Sequence, residues 1–157
     1  MSPAPSLVFI GFMGAGKSTQ AAEAAKLLGA GEAADSDRIL EAASGRRIEE
    51  VFAQDGEAAF RAREEQVVCD LLEHADGGVV ALGGGAVLSG RVQAALGRHT
   101  VVLCEISAHT AWGRARGRGR PLARDRGAFE VLYAERLGLY EQDRRESGEW
   151  AALLLRQ

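Results

Sequence analysis

Residues 7–20 read LVFIGFMGAGKSTQ, and this stretch decides the fold. Leu7 to Ile10 is a short apolar run of the kind that makes a buried parallel strand. Gly11, Gly14 and Gly16 then let the backbone turn without a Cβ in the way. Lys17, Ser18 and Thr19 open a helix, with good helix formers behind them from Gln20 to Ala25. The spacing G-x-x-x-x-G-K-S is that of a phosphate-binding loop, whose backbone N–H groups and helix N-terminus cradle an anion. Lys17 offers a point charge to the β and γ oxygens, and the Ser18 hydroxyl can ligate Mg²⁺. A glycine-rich turn without a ligand would not need strand, loop, lysine, hydroxyl and helix in this order. The motif therefore predicts a nucleoside triphosphate, but it does not name the acceptor of the phosphoryl group.

The rest of the chain bounds what surrounds this loop. Its 157 residues, 46% of them hydrophobic, suit one domain over 1–157 with a real core. A net charge of −3 gives no reason to expect nucleic acid as a partner. Lys17 and Lys26 are the only lysines in a chain whose basic residues are otherwise arginine, which leaves Lys17 conspicuous. Cys69 and Cys104 fall in apolar runs without metal spacing and read as reduced core residues. His74, His99 and His109 are scattered, where a zinc site would need clustered ligands. The N-terminal MSPAPS has no apolar secretory segment, and no run reaches the ~18 apolar residues that a membrane span needs. A cytoplasmic protein is expected, without membrane contact and acting as a monomer.

Apolar strands alternate with helical segments along the chain. GAGEAADSD is a weak strand ending in two aspartates. Helical pieces follow in Arg38 to Ala43, in RRIEEVFAQD and in the long GEAAFRAREEQVVCDLLEHA, where Phe60, Val67, Val68, Leu71 and Leu72 can form the apolar stripe. GVVALGGG and TVVLCEI are clear strands. Ser89 can cap a helix through Leu96. Further helices are expected from Ala108, from about Ala128 to Glu141, and in the C-terminal SGEWAALLLRQ. The alternation predicts an α/β fold: three layers, with a parallel sheet covered by helices on both faces. Ligands should then sit at the carboxyl ends of the strands, where the phosphate loop, DSD and GGG all fall.

Four further motifs bear on the acceptor. Asp35 and Asp37 could serve a metal shell and an attacking hydroxyl, or Asp35 could simply cap the next helix; spacing alone leaves both open. Arg61 and Arg63 lie on a carboxylate-rich helix, and surface ion pairing is the plainer reading of both. Gly83, Gly84 and Gly85 follow a buried strand, which suits either close approach to a ligand or a tight turn. The run GRARGRGRPLARDRG crowds six arginines with glycine and proline. It lacks an aromatic to stack a nucleobase, so a lid over about 113–126 that lays arginines on phosphates fits better than RNA binding.

Taken together, GFMGAGKST, DSD, DGEAAFR, LGGGAV, RPL and ERLGLY, in this order and spacing, resemble the shikimate kinase family over about residues 7 to 141. The resemblance implies a P-loop kinase fold with a five-stranded parallel sheet. The implied reaction moves the γ-phosphoryl group of ATP to the 3-hydroxyl of shikimate, within aromatic amino-acid and chorismate biosynthesis. Gly14, Ala15, Gly16, Lys17, Ser18 and Thr19 would hold the nucleotide phosphates, with Lys17 and a lid arginine, Arg120, acting on the transferring group. Ser18 and Asp35 would serve Mg²⁺. Asp37 would orient the reacting hydroxyl or take its proton. Arg61 and Arg136 would clamp the shikimate carboxylate, Gly83 to Gly85 would bring backbone N–H groups to the substrate, Gly84 first among them, and Phe52 and Phe60 would wall the ring.

Two stretches depart from the family pattern. GEAA is poor in the β-branched residues usual for a second strand. After ERLGLY no convincing fifth strand is legible, and WAALLL reads as a closing helix with that strand omitted. Two other functions share the motifs: a kinase of the same fold for another hydroxy acid such as gluconate, and a weakly catalytic nucleotide-binding protein.

Overall fold

In a computed structural model the backbone is described for residues 2–116, 125–146 and 150–154, and side chains as far as residue 141. Strand β1 (Leu7–Gly11) leads through the phosphate loop into helix α1 (Lys17–Leu28). Then come β2 (Ala34–Asp35), α2 (Ser36–Ser44), α3 (Ile48–Asp55) and α4 (Glu57–His74). After them run β3 (Val79–Ala81), a short 3-10 turn at Ala86–Leu88, α5 (Gly90–Leu96) and β4 (Thr100–Glu105). Helices α6 (Ala108–Ala115) and α7 (Arg126–Glu146) precede the last strand, β5 (Trp150–Leu154).

The five strands lie in the order β2-β3-β1-β4-β5, and every neighbouring pair is parallel. The chain thus places β2 at one edge, fills in β3 beside β1, and then crosses to β4 and β5 on the other side, which opens a crevice beyond the carboxyl end of β1. Alternate strand residues feed opposite faces. Val8, Ile10, Val80, Leu82, Val101 and Leu103 pack with Val68 and Leu72 of α4, Leu96 of α5 and Phe129 of α7. Phe9, Val79, Ala81, Val102 and Cys104 pack with Ala21 and Ala25 of α1. The small alanines let α1 sit close to the sheet. A third, smaller cluster of Leu40, Val51 and Phe60 ties α2, α3 and α4 to one another.

The C-terminal expectation is overturned. Trp150–Leu154 is a strand and pairs in parallel register with Val101–Glu105. Alanine and leucine favour a helix in isolation, but the open edge of β4 offers a full ladder of backbone partners, and that context decides. The weak second strand does form, with only Ala34–Asp35 paired to β3. No helix among the described residues is long and apolar enough to cross a membrane.

Candidate active site

The nucleotide end is built by the turn between β1 and α1. Gly14 (φ 80°) and Gly16 (φ 81°) take left-handed conformations that strain other residues. Gly11 is tighter still, since a Cβ there would stand 2.5 Å from the Cys104 carbonyl oxygen. Gly16 caps α1 without a side-chain hydrogen bond, so the first N–H groups of the helix are left for an anion. Lys17 Nζ folds back to donate to the Phe12 carbonyl at 2.9 Å. Arg114, from α6, donates to the Gly14 carbonyl at 2.6 Å and so ties the loop to the next crossover.

Asp35 caps the helix that follows it, and its second oxygen reaches the phosphate loop. Its Oδ1 caps α2 by accepting from the N–H groups of Asp37 (3.0 Å) and Arg38 (3.4 Å). Its Oδ2 accepts from the Ser18 hydroxyl at 2.6 Å. That contact joins a hydroxyl and a carboxylate beside the phosphate loop, an all-oxygen donor pair of the kind Mg²⁺ takes.

Asp37 turns instead toward a hollow at the far side of the loop. Phe12, Met13, Asp37, Ile48, Phe52, Phe60, Arg61, Glu64, Gly84, Gly85 and Arg136 line it. The wall at Gly83 has no room for a side chain: a Cβ would lie 2.7 Å from Asp37 Oδ1 and 2.9 Å from Glu64 Oε2. The Phe52 and Phe60 rings meet at 5.5 Å between centroids. The Arg61 guanidinium lies 5.1 Å over the Phe60 ring, packs on Gly85, and donates to Glu64 Oε1 at 2.6 Å. Arg63, by contrast, is half-exposed and pairs with Asp55, as its surface reading expects.

Glu64 is the residue that sequence reasoning missed. It is 2% exposed, yet it carries a carboxylate. Burial pushes its pKa above the usual glutamate value, the neighbouring Asp37 adds to the rise, and Arg61 and Arg136 oppose it. A signal was present: Phe60, Glu64, Val68 and Leu72 recur every fourth residue on the buried face of α4. A carboxylate in an apolar stripe needs a partner, and Arg61 stands one turn before it.

Arg136 comes from α7 and is 4% exposed. Its Nη1 donates to the Gly84 carbonyl at 3.1 Å, and Tyr140, one turn later, donates its hydroxyl to the same oxygen at 2.7 Å. No carboxylate among the described residues forms an ion pair with Arg136. Burial lowers its pKa below the ordinary arginine value. One expectation needs correction here: the Gly83 N–H does not face the hollow, because it donates to the buried Ser36 hydroxyl at 2.9 Å. Arg120 and most of the expected lid lie outside the described residues.

Asp37, Arg61, Arg136, Gly84, Gly85, Phe52 and Phe60 are therefore brought to one hollow, and Lys17, Ser18 and Asp35 to the loop beside it. A parallel sheet of this order, with a phosphate loop and an acceptor hollow at its carboxyl edge, defines a small P-loop kinase. The family model for shikimate kinase matches residues 13–149. The chain belongs to the shikimate kinase family. It is 46% identical to a shikimate kinase of Mycobacterium marinum, over 88% of this chain and 77% of that one. With a shikimate kinase of Mycobacterium avium the identity is 48%, over 88% and 80%. Among solved structures, a shikimate kinase from Acinetobacter baumannii in complex with shikimate superposes with a TM-score of 0.84 at 31% identity. That match covers 98% of this chain and 85% of that chain.

Proposed function

We propose that the chain transfers the γ-phosphoryl group of ATP to the 3-hydroxyl of shikimate, giving shikimate 3-phosphate on the route to chorismate. The observation that carries this reading is Arg136: a buried guanidinium, facing the same hollow as Arg61, with no carboxylate paired to it among the described residues. Burying a cation is costly unless an anion joins it. A small acceptor bearing one carboxylate supplies that anion, and a guanidinium can meet it with two parallel N–H bonds.

Position supports a role for each described residue. Arg61 and Arg136 hold the carboxylate, Phe52 and Phe60 flank the ring, and Asp37 orients the reacting hydroxyl and accepts its proton. The α1 N-terminus and the loop N–H groups from Gly14 to Thr19 bind the ATP phosphates, with Lys17 and Arg120 serving the charge of the transferring group. Ser18 and Asp35 would hold Mg²⁺, which when bound supplies charge neutralisation between the phosphates. Catalysis is then mainly alignment and charge stabilisation. The chain would act as one kinase domain and as a monomer, in the cytoplasm.

A coupled assay of ADP release tests this, run with shikimate, with gluconate and with no acceptor. Release that depends on shikimate is expected. Release driven by gluconate instead, or ATP binding without turnover, overturns the assignment.

A further inference from the structure

The Gly84 carbonyl accepts two hydrogen bonds, from Tyr140 Oη at 2.7 Å and from Arg136 Nη1 at 3.1 Å. Two donors from consecutive turns of one helix thus converge on a single oxygen of the glycine run that lines the acceptor hollow. The peptide joining Gly84 to Gly85 is trans, so its N–H points opposite to that carbonyl. With the carbonyl held against α7, the Gly85 N–H is turned away from α7. No described group accepts from it, and the Arg61 guanidinium packs on the same glycine.

Resting on the shikimate reading above, we propose that Tyr140 is a positioning residue that fixes the Gly84–Gly85 peptide plane and thereby aims the Gly85 N–H at the acceptor carboxylate. Two donors on one carbonyl look redundant until the acceptor arrives. Arg136 then turns part of its fork to the carboxylate, because it has five N–H donors and only one of its nitrogens engages Gly84 in this structure. Tyr140 has a single donor, spends it on the Gly84 carbonyl, and can only accept from the neighbouring Arg136, so it keeps the carbonyl in place while Arg136 is drawn away. Without the hydroxyl, a flexible glycine pair would be free to rotate its peptide, and the N–H would lose its aim. Tyr140 is 3% exposed, and burial raises its pKa, so the phenol stays a neutral donor across the working pH range.

Tyr140→Phe removes the donor and keeps the ring. The expected result is a five- to tenfold rise in KM for shikimate, on the order of one lost hydrogen bond. KM for ATP should stay as it is and kcat should move less than twofold. The second readout is the Gly85 amide in ¹H–¹⁵N spectra of labelled protein. In the wild type its proton should shift downfield as shikimate saturates the site, and in Tyr140→Phe that shift should shrink by about half or more. An unchanged KM for shikimate, or a Gly85 shift equal in the two proteins, overturns the role of Tyr140 alone. A wild-type protein that does not turn over shikimate overturns the functional reading and takes this inference with it.

Discussion

At the scale of single residues, the acceptor hollow is a problem in charge placement. Arg61 is balanced by Glu64 at 2.6 Å, whereas Arg136 rests on a neutral carbonyl. The two guanidinium groups are therefore not equivalent: Arg61 is held in advance, and Arg136 is the one whose charge an incoming carboxylate would satisfy. Replacing Glu64 by Gln should leave the half-buried Arg61 with only the exposed Glu57, 3.8 Å away, as counter-charge, and free to reorient. KM for shikimate is expected to rise about tenfold, with KM for ATP little changed, in steady-state kinetics. The raised pKa of Glu64 adds a pH signature. As pH falls, Glu64 takes up its proton earlier than an exposed glutamate would, and Arg61 then loses its ionised partner. KM for shikimate should therefore climb on the acid side, beginning above the ordinary value of 4.5, and Glu64→Gln should flatten that limb. Asp37→Asn is expected to lower kcat by at least about a hundredfold while ATP still binds, as titration of the variant with nucleotide would show. Gly83→Ala should also impair turnover, because the added Cβ would meet both Asp37 and Glu64 under 3 Å. Of this site, the loop was legible from residue type and spacing, whereas spacing left Asp37 and the glycine run open and only the family resemblance gave them roles. Glu64 was not legible, because a carboxylate among Arg61, Arg63 and Glu65 reads as one more surface charge until its place in the buried stripe is noticed.

At the scale of elements, most of the architecture was written in local pattern. Ser89 does cap α5, its hydroxyl accepting from Val92 N–H at 3.2 Å. It also donates to Glu65 on α4. Ser89→Ala should accordingly cost about 1–2 kcal/mol in denaturant unfolding, the upper part of the range reflecting the second contact. The phosphate-loop turn is less forgiving. Gly11→Ala would press a Cβ onto the Cys104 carbonyl at φ 150°, and a lower yield of folded protein is expected. What local pattern did not carry was β5. Nothing in WAALLL distinguishes a strand from a helix, since its partner, Val101–Glu105, lies about fifty residues upstream and supplies the missing information through backbone pairing. The two-residue β2 illustrates the converse: Ala34–Asp35 is poor in strand formers yet pairs with β3, because the helix cap at Asp35 and the Ser18 contact already hold it there.

At the scale of the whole molecule, stability should respond to pH through the opposite end of the sheet. His99 Nδ1 accepts from the Ser6 N–H at 3.1 Å, and burial, helped by Arg98, lowers its pKa below 6.5. Above that value the ring is neutral in folded and unfolded chains alike, and no pH dependence arises from it. Below it the unfolded chain binds a proton that the folded chain resists, so stability falls with pH until the folded ring also titrates. Chemical denaturation between pH 7.5 and 5.5 should show that slope, and His99→Asn, which keeps an acceptor near the Ser6 N–H, should remove it.

The small cluster of Leu40, Val51 and Phe60 has a consequence of its own. It shares no member with the two clusters on the sheet faces, so α2 and α3 are anchored largely through α4 rather than through the strands. Backbone amides there should trade hydrogen for deuterium well before those of β1, β3 and β4, as separate opening units do. Mild warming would then blunt the capture of the acid while the grip on the triphosphate persists, and the two halves of the chemistry would fail one after the other.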